Sequence, residues 1–69
     1  MTELEILSEK IKIIRKELHQ SQMEFALNCG ISTETISLIE RKKVCPSLDT
    51  IQKIASYLGV TVSELLKIN

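Results

Sequence analysis

The chain is 69 residues long, carries nine basic and nine acidic residues for a net charge of zero, and is 43% hydrophobic. A chain of that size is one small domain, residues 1–69, which buries only about 60% of its unfolded surface and so needs short elements and short loops. No apolar run nears the roughly 18 residues needed to cross a bilayer, and Glu3, Glu5 and Glu9 give the N-terminus the wrong charge for a secretory signal, so a soluble, cytoplasmic protein is expected. Phe25 and Tyr57 are the aromatic residues, which leaves the core to Ile, Leu and Val.

Leu4, Leu7, Ile11, Ile14 and Leu18 recur at spacings of three and four. They predict one helix face, from near Thr2 or Glu3 to near Leu18. Ile6 and Ile13 lie beside that stripe and either widen it or meet a partner. His19 reads as a linker side chain, since no carboxylate or nucleophile accompanies it. Ser21 and Glu24 form a capping-box signature for a second helix, about Gln22 to Cys29, with Phe25, Ala26 and Cys29 on one face. Gly30 then suits a left-handed stop. Ser32 caps a third helix, about Thr33 to Arg41, with Ile31 stapled to Ile36 and with Ile36 and Ile39 inward. Two short helices joined by a tight Gly-containing turn cross steeply, as in a helix-turn-helix. After a loop from Lys42 to Pro46, Ser47 caps a fourth helix with Leu48, Ile51, Ile54, Ala55 and Leu58 inward, and Gly59 ends it. Val60, Thr61 and Glu64 open a last short helix, with Val60 against Leu65. No stretch alternates as a strand would, so the expectation is all-α with five helices.

These residues resemble the Cro/cI-type (XRE-family) helix-turn-helix DNA-binding domains. Gln22, Ala26, Gly30 and the Ile36/Ile39 pair match that family's pattern, and Glu40-Arg41-Lys42-Lys43 followed by Pro46-Ser47-Leu48 resembles its Glu-Arg-Gly-Lys and Pro-Ser-Leu signature. The resemblance runs from about Lys10 to Leu66 and implies a five-helix lambda-repressor-like domain. It also implies an ion pair between Arg15 and Glu40, joining the first helix to the end of the recognition helix. The bland alternative is two independent surface charges, worth little. The chain departs from the family at His19 and Gln20, where Gly and an apolar residue are common, and at Lys42, another frequent Gly. Should Lys42 need a positive φ, it is strained by about 1–2 kcal/mol; otherwise the loop is rearranged.

With Ile36 and Ile39 inward, the third helix turns Thr33, Glu34, Ser37, Leu38 and Arg41 outward. Thr33, Glu34, Ser37 and Leu38 are the candidates for base contact: Thr33 to a base or phosphate, Glu34 to a cytosine amino group, Leu38 to a thymine methyl. Gln22, Thr35, Arg41, Lys42 and Lys43 are the candidates for phosphate contact. The absence of Arg, Asn and Gln between Ile31 and Glu40 points to few bidentate base contacts and a larger share for DNA shape. Basic residues gather around the motif, at Lys12, Arg15, Lys16 and Arg41 to Lys43, against Glu17, Glu24, Glu34 and Glu40, while the first nine residues hold three acids and no base; the bland reading of these charges is a solvated surface.

One small module contacts little DNA, so a homodimer reading two half-sites is expected. Val62, Leu66 and Ile68 are candidate contacts, although core packing explains some of them equally well. The function expected is a double-stranded-DNA-binding transcriptional regulator, most simply a repressor on a palindromic operator. A protein-interaction module on the same fold is the alternative, favoured by zero net charge, Glu34, and apolar Met23 and Leu27 at i,i+4. An enzyme is the weakest reading, with one Asp, one His and no nucleophile–base spacing. Cys29 and Cys45 lack metal-ligand spacing and read as a core residue and a loop thiol. No metal, cofactor, membrane or small-molecule ligand is expected.

Overall fold

Every helix start is set by a local signal. Thr2, Ser21, Ser32, Ser47 and Thr61 each hold extended backbone and accept, through the side-chain hydroxyl, the amide three residues on. Thr2/Glu5, Ser21/Glu24 and Thr61/Glu64 complete reciprocal capping boxes. Each such cap is worth about 0.5–2 kcal/mol over alanine. The computed structural model describes residues 2–67, and in them the chain forms α1 (Glu3–Glu17), α2 (Gln22–Cys29), α3 (Thr33–Glu40), α4 (Leu48–Leu58) and α5 (Val62–Leu65). The third helix stops one residue short of the expected Arg41, which is its C-cap.

The first four helices end alike. The amides of His19 and Gln20 fold back to the carbonyls of Lys16 and Arg15, and those of Gly30 and Ile31 to Leu27 and Ala26. Lys42 and Lys43 bond to Ile39 and Leu38, Gly59 and Val60 to Ser56 and Ala55. This is the Schellman motif, which needs one left-handed residue. Gly30 (φ 80°) and Gly59 (φ 72°) supply it without penalty, whereas His19 (φ 56°) and Lys42 (φ 60°) carry a side chain there. Lys42 therefore takes the strained left-handed conformation.

α2 packs on α3 and α4, α1 packs on α3, and α4 packs on α5. The shared core is Leu7, Ile11, Phe25, Ala26, Cys29, Ile36, Ile39, Ile54, Ala55 and Leu65. Phe25 is fully buried and meets the edge of Tyr57 with ring centroids 5.6 Å apart. Tyr57 Oη accepts from Gln20 Nε2 at 2.9 Å and Asn28 Nδ2 at 3.3 Å, tying α4 to α2 and to the α1–α2 turn. Ile6 is buried and Ile13 exposed, so only the former widens the core face.

Two expected core positions are open. Leu48 is 63% exposed and Leu18 46% exposed. Each keeps the period of its helix but sits at an end, Leu48 in the first turn of α4 and Leu18 at the C-cap of α1, past the neighbours that cover the rest of the stripe. Leu18 instead rims an open groove of about 570 Å³ that Ile13, Ile14, Leu58 and Val60 also line. Among the described residues no helix is long and apolar enough to cross a membrane.

Candidate nucleic-acid interface

The crossing of α2 and α3 is fixed by the turn from Gly30 to Ser32. Gly30 ends α2, Ile31 is half-buried against the core, and Ser32 Oγ accepts the Thr35 amide to start α3. Ile36 and Ile39, both fully buried, then lock α3 into the core. The opposite side exposes Thr33 and Glu34 to solvent, with Ser37 and Leu38 half-buried. Leu38 is thus less exposed than the outward reading required. Thr35 Oγ1 lies 2.7 Å from Ser32 Oγ and is partly spoken for by the cap.

The far end of α3 is held by one acidic residue. Glu40 is 6% exposed. Arg15 donates to it twice, Nε to Oε2 at 2.7 Å and Nη2 to Oε1 at 3.0 Å. Gln22 Nε2 donates to the same Oε1 at 3.2 Å. Arg15 Nη1 also reaches the Gln20 carbonyl at 3.0 Å. Donating its hydrogen bonds to Glu40 holds the Arg15 guanidinium above its ordinary pKa, outweighing the opposite pull of burial. A charged carboxylate with three donors is well satisfied in a low-dielectric setting. One residue therefore joins α1, the start of α2 and the end of α3.

That hub brings some candidates together and alters others. Gln22 stands beside the C-terminal end of α3, so it shares a neighbourhood with Arg41, Lys42 and Lys43. Part of its amide is already used within the molecule. Lys42 Nζ pairs with Glu9 at 3.3 Å on the surface. Arg41 Nε bends back to the Ser37 carbonyl at 3.4 Å. Lys43 is exposed and its side chain has no partner among the described residues. Val62 and Leu66 are half-buried against the core, and Ile68 lies outside the described residues. Cys29 is buried, and burial pushes its thiol up to about 11, while Cys45 is exposed. No cluster of three or more potential metal ligands occurs among the described residues.

A family model described as helix-turn-helix matches residues 11–65. The chain belongs to the Cro/cI-type helix-turn-helix family. It is 35% identical over 60 residues to the immunity repressor protein of Bacillus phage phi105, covering 87% of this chain and 42% of that protein. It is 33% identical over 61 residues to the cryptic phage CTXphi transcriptional repressor RstR of Vibrio cholerae, covering 88% of this chain and 55% of that one. The crystal structure of the hypothetical transcription factor NHTF from Neisseria superposes with a TM-score of 0.79 at 34% identity, covering 90% of this chain and 71% of that chain. The chain thus spans about half the length of the two phage repressors.

Two residues outside the family match belong to the interface frame and were not singled out by sequence reasoning. Ser8 is fully buried and donates to the Glu40 carbonyl at 2.8 Å. Glu9 holds Lys42. The available signal was spacing: Ser8 precedes Arg15 by seven residues, so both lie on one face of α1.

Proposed function

We propose that this chain is the DNA-binding part of a transcriptional repressor that occupies a palindromic operator as a homodimer. One observation carries the reading. α3 is anchored by Ile36, Ile39 and Glu40, while Thr33 and Glu34 are exposed, Ser37 and Leu38 are half-buried, and Lys43 beyond the helix is exposed and unpaired among the described residues. In this fold the N-terminal part of the second motif helix enters the major groove and reads base edges. Thr33 and Glu34 stand there. Glu34 fits only as an acceptor of a cytosine amino group, since phosphate repels it. Lys43 grips the flanking backbone, with help from the Gln22 and Met23 amides at the positive end of α2. Two copies read half-sites about 34–36 Å apart, with the outer halves of Val62 and Leu66 as the contact between them.

The relatives named as repressors support this role. Selection from a random double-stranded DNA pool tests it, followed by titration of the enriched duplex at two salt concentrations. A palindromic consensus with steep salt dependence is expected. Met23 at 66% and Leu27 at 77% exposure favour a second reading, a protein-interaction module. No enrichment, with salt-insensitive or absent binding, would overturn the repressor in favour of that module.

A further inference from the structure

A helix leaves its last four carbonyls without partners inside the helix. At the end of α3, backbone amides satisfy three of them: Arg41 bonds to Ser37, Lys43 to Leu38 and Lys42 to Ile39. The fourth, the carbonyl of Glu40, is beyond the reach of that cap and is taken by the Ser8 hydroxyl at 2.8 Å, from a residue 32 positions earlier. Ser8 is 0% exposed, so no solvent stands ready to replace it. An unmade hydrogen bond at such a site leaves a buried acceptor desolvated and unsatisfied.

Ser8 and Arg15 hold the two ends of the same residue. Arg15 grips the Glu40 carboxylate, and Ser8 grips its carbonyl. A side-chain clasp alone allows the helix end to pivot about the Glu40 side chain. The second contact, on the backbone, removes that freedom. Immediately beyond it the chain turns through Lys42, at φ 60°, and delivers Lys43. Glu9, the neighbour of Ser8, reaches Lys42 at 3.3 Å and ties the same turn to α1. We propose that Ser8 is a positioning residue for DNA binding: its hydroxyl closes the last open carbonyl of α3 and fixes the direction in which Lys42 and Lys43 leave the recognition helix. This rests on the DNA-binding reading given above.

The test compares Ser8→Ala with Ile54→Val, a core change in α4, which packs on α2 and α5. Each folded protein is titrated with a mixed-sequence DNA duplex across a salt series. Amide exchange is also measured at Lys42 and Lys43, against Val60 as the equivalent cap amide of α4. Ser8→Ala is expected to weaken binding about tenfold and to flatten the salt slope by about one unit, the share of one phosphate contact. Its Lys42 and Lys43 amides should exchange about tenfold faster relative to Val60, the mark of a local opening. Ile54→Val should leave the slope and that ratio unchanged. Should Ser8→Ala fail to fold, Ser8→Cys, which keeps a weak donor, carries the same comparison. Unchanged slope and exchange ratio in a folded variant would overturn the proposal. A wild-type chain that ignores DNA would overturn the repressor reading and the role of Ser8 in binding, whereas a normal wild type with an unaffected variant sinks the Ser8 inference alone.

Discussion

Cutting the Arg15–Glu40 clasp from one side should cost far more than removing it from both. The side chains are 15% and 5% exposed, and the two short bonds of 2.7 and 3.0 Å form a bidentate pair. In Arg15→Met the Glu40 carboxylate keeps only Gln22 as a donor, at 3.2 Å. Stranding one member of a buried pair costs about 3–5 kcal/mol. A domain of 69 residues has roughly 3–10 kcal/mol in all, at about 0.05–0.15 kcal/mol per residue. The single substitution thus removes a third or more of the stability. At about 4–8 °C per kcal/mol for a domain of this size, Tm should fall by at least about 12 °C, read by far-ultraviolet circular dichroism. Arg15→Met combined with Glu40→Met leaves no stranded charge and should lie closer to wild type than either single change. If each single change costs under about 1 kcal/mol and the two add, the pair behaves as an exposed one, and the hub does not orient α3 as argued.

The other expectations concern the surface, the strained turns and the thiols. Lys43→Ala should weaken binding to all sequences alike and lower the salt slope by about one unit, and a sequence-selective loss would contradict a phosphate role. Lys42→Ala should do less, because Glu9 already holds that ammonium; Glu9→Gln should raise affinity at low salt, and unchanged binding would show that Lys42 lies off the DNA. His19→Gly should raise stability by about 0.5–1 kcal/mol, the left-handed penalty less the added freedom of the unfolded glycine, with calorimetry as the check and a loss of Tm as the refuting result. Cys45 should alkylate rapidly at pH 8 while Cys29 resists until unfolding. The Cys29 thiol titrates near 11 when folded against 9.0 as a reference, so the folded chain holds its proton longer. Its contribution is complete below pH 9 and is lost as pH rises toward 11, and a denaturant midpoint flat across that range would show the thiol to be more accessible than its burial implies.

What the sequence made legible was local. Ser21 with Glu24, Thr61 with Glu64, and Gly30 and Gly59 act within a few residues of themselves, so their spacing is enough to read them. Ile36 and Ile39 needed only a helical period to point inward. The misread positions come from what lies across the fold. Leu48 keeps perfect helical phase, yet phase does not say where a helix outruns its neighbours. Gln22 is a candidate for phosphate contact whose side-chain amide also reaches Glu40, 18 residues away, a link that its place at the start of α2 does not reveal. Ser8 shares a face with Arg15, but a serine inside an apolar stripe carries no mark of the carbonyl it will meet. Arg15 and Glu40 were paired through family resemblance, since nothing in their separation of 25 residues implies contact.

The hub at Glu40 has an evolutionary consequence. The side chains that hold α3 in place, Ile36, Ile39 and Glu40, are not those on its outer side, Thr33, Glu34, Ser37 and Leu38. Drift or selection can rewrite the outer set one residue at a time while the mounting stays untouched. On the proposed DNA-binding reading, successive copies of such a chain can diverge in the address they recognise without passing through an unfolded ancestor.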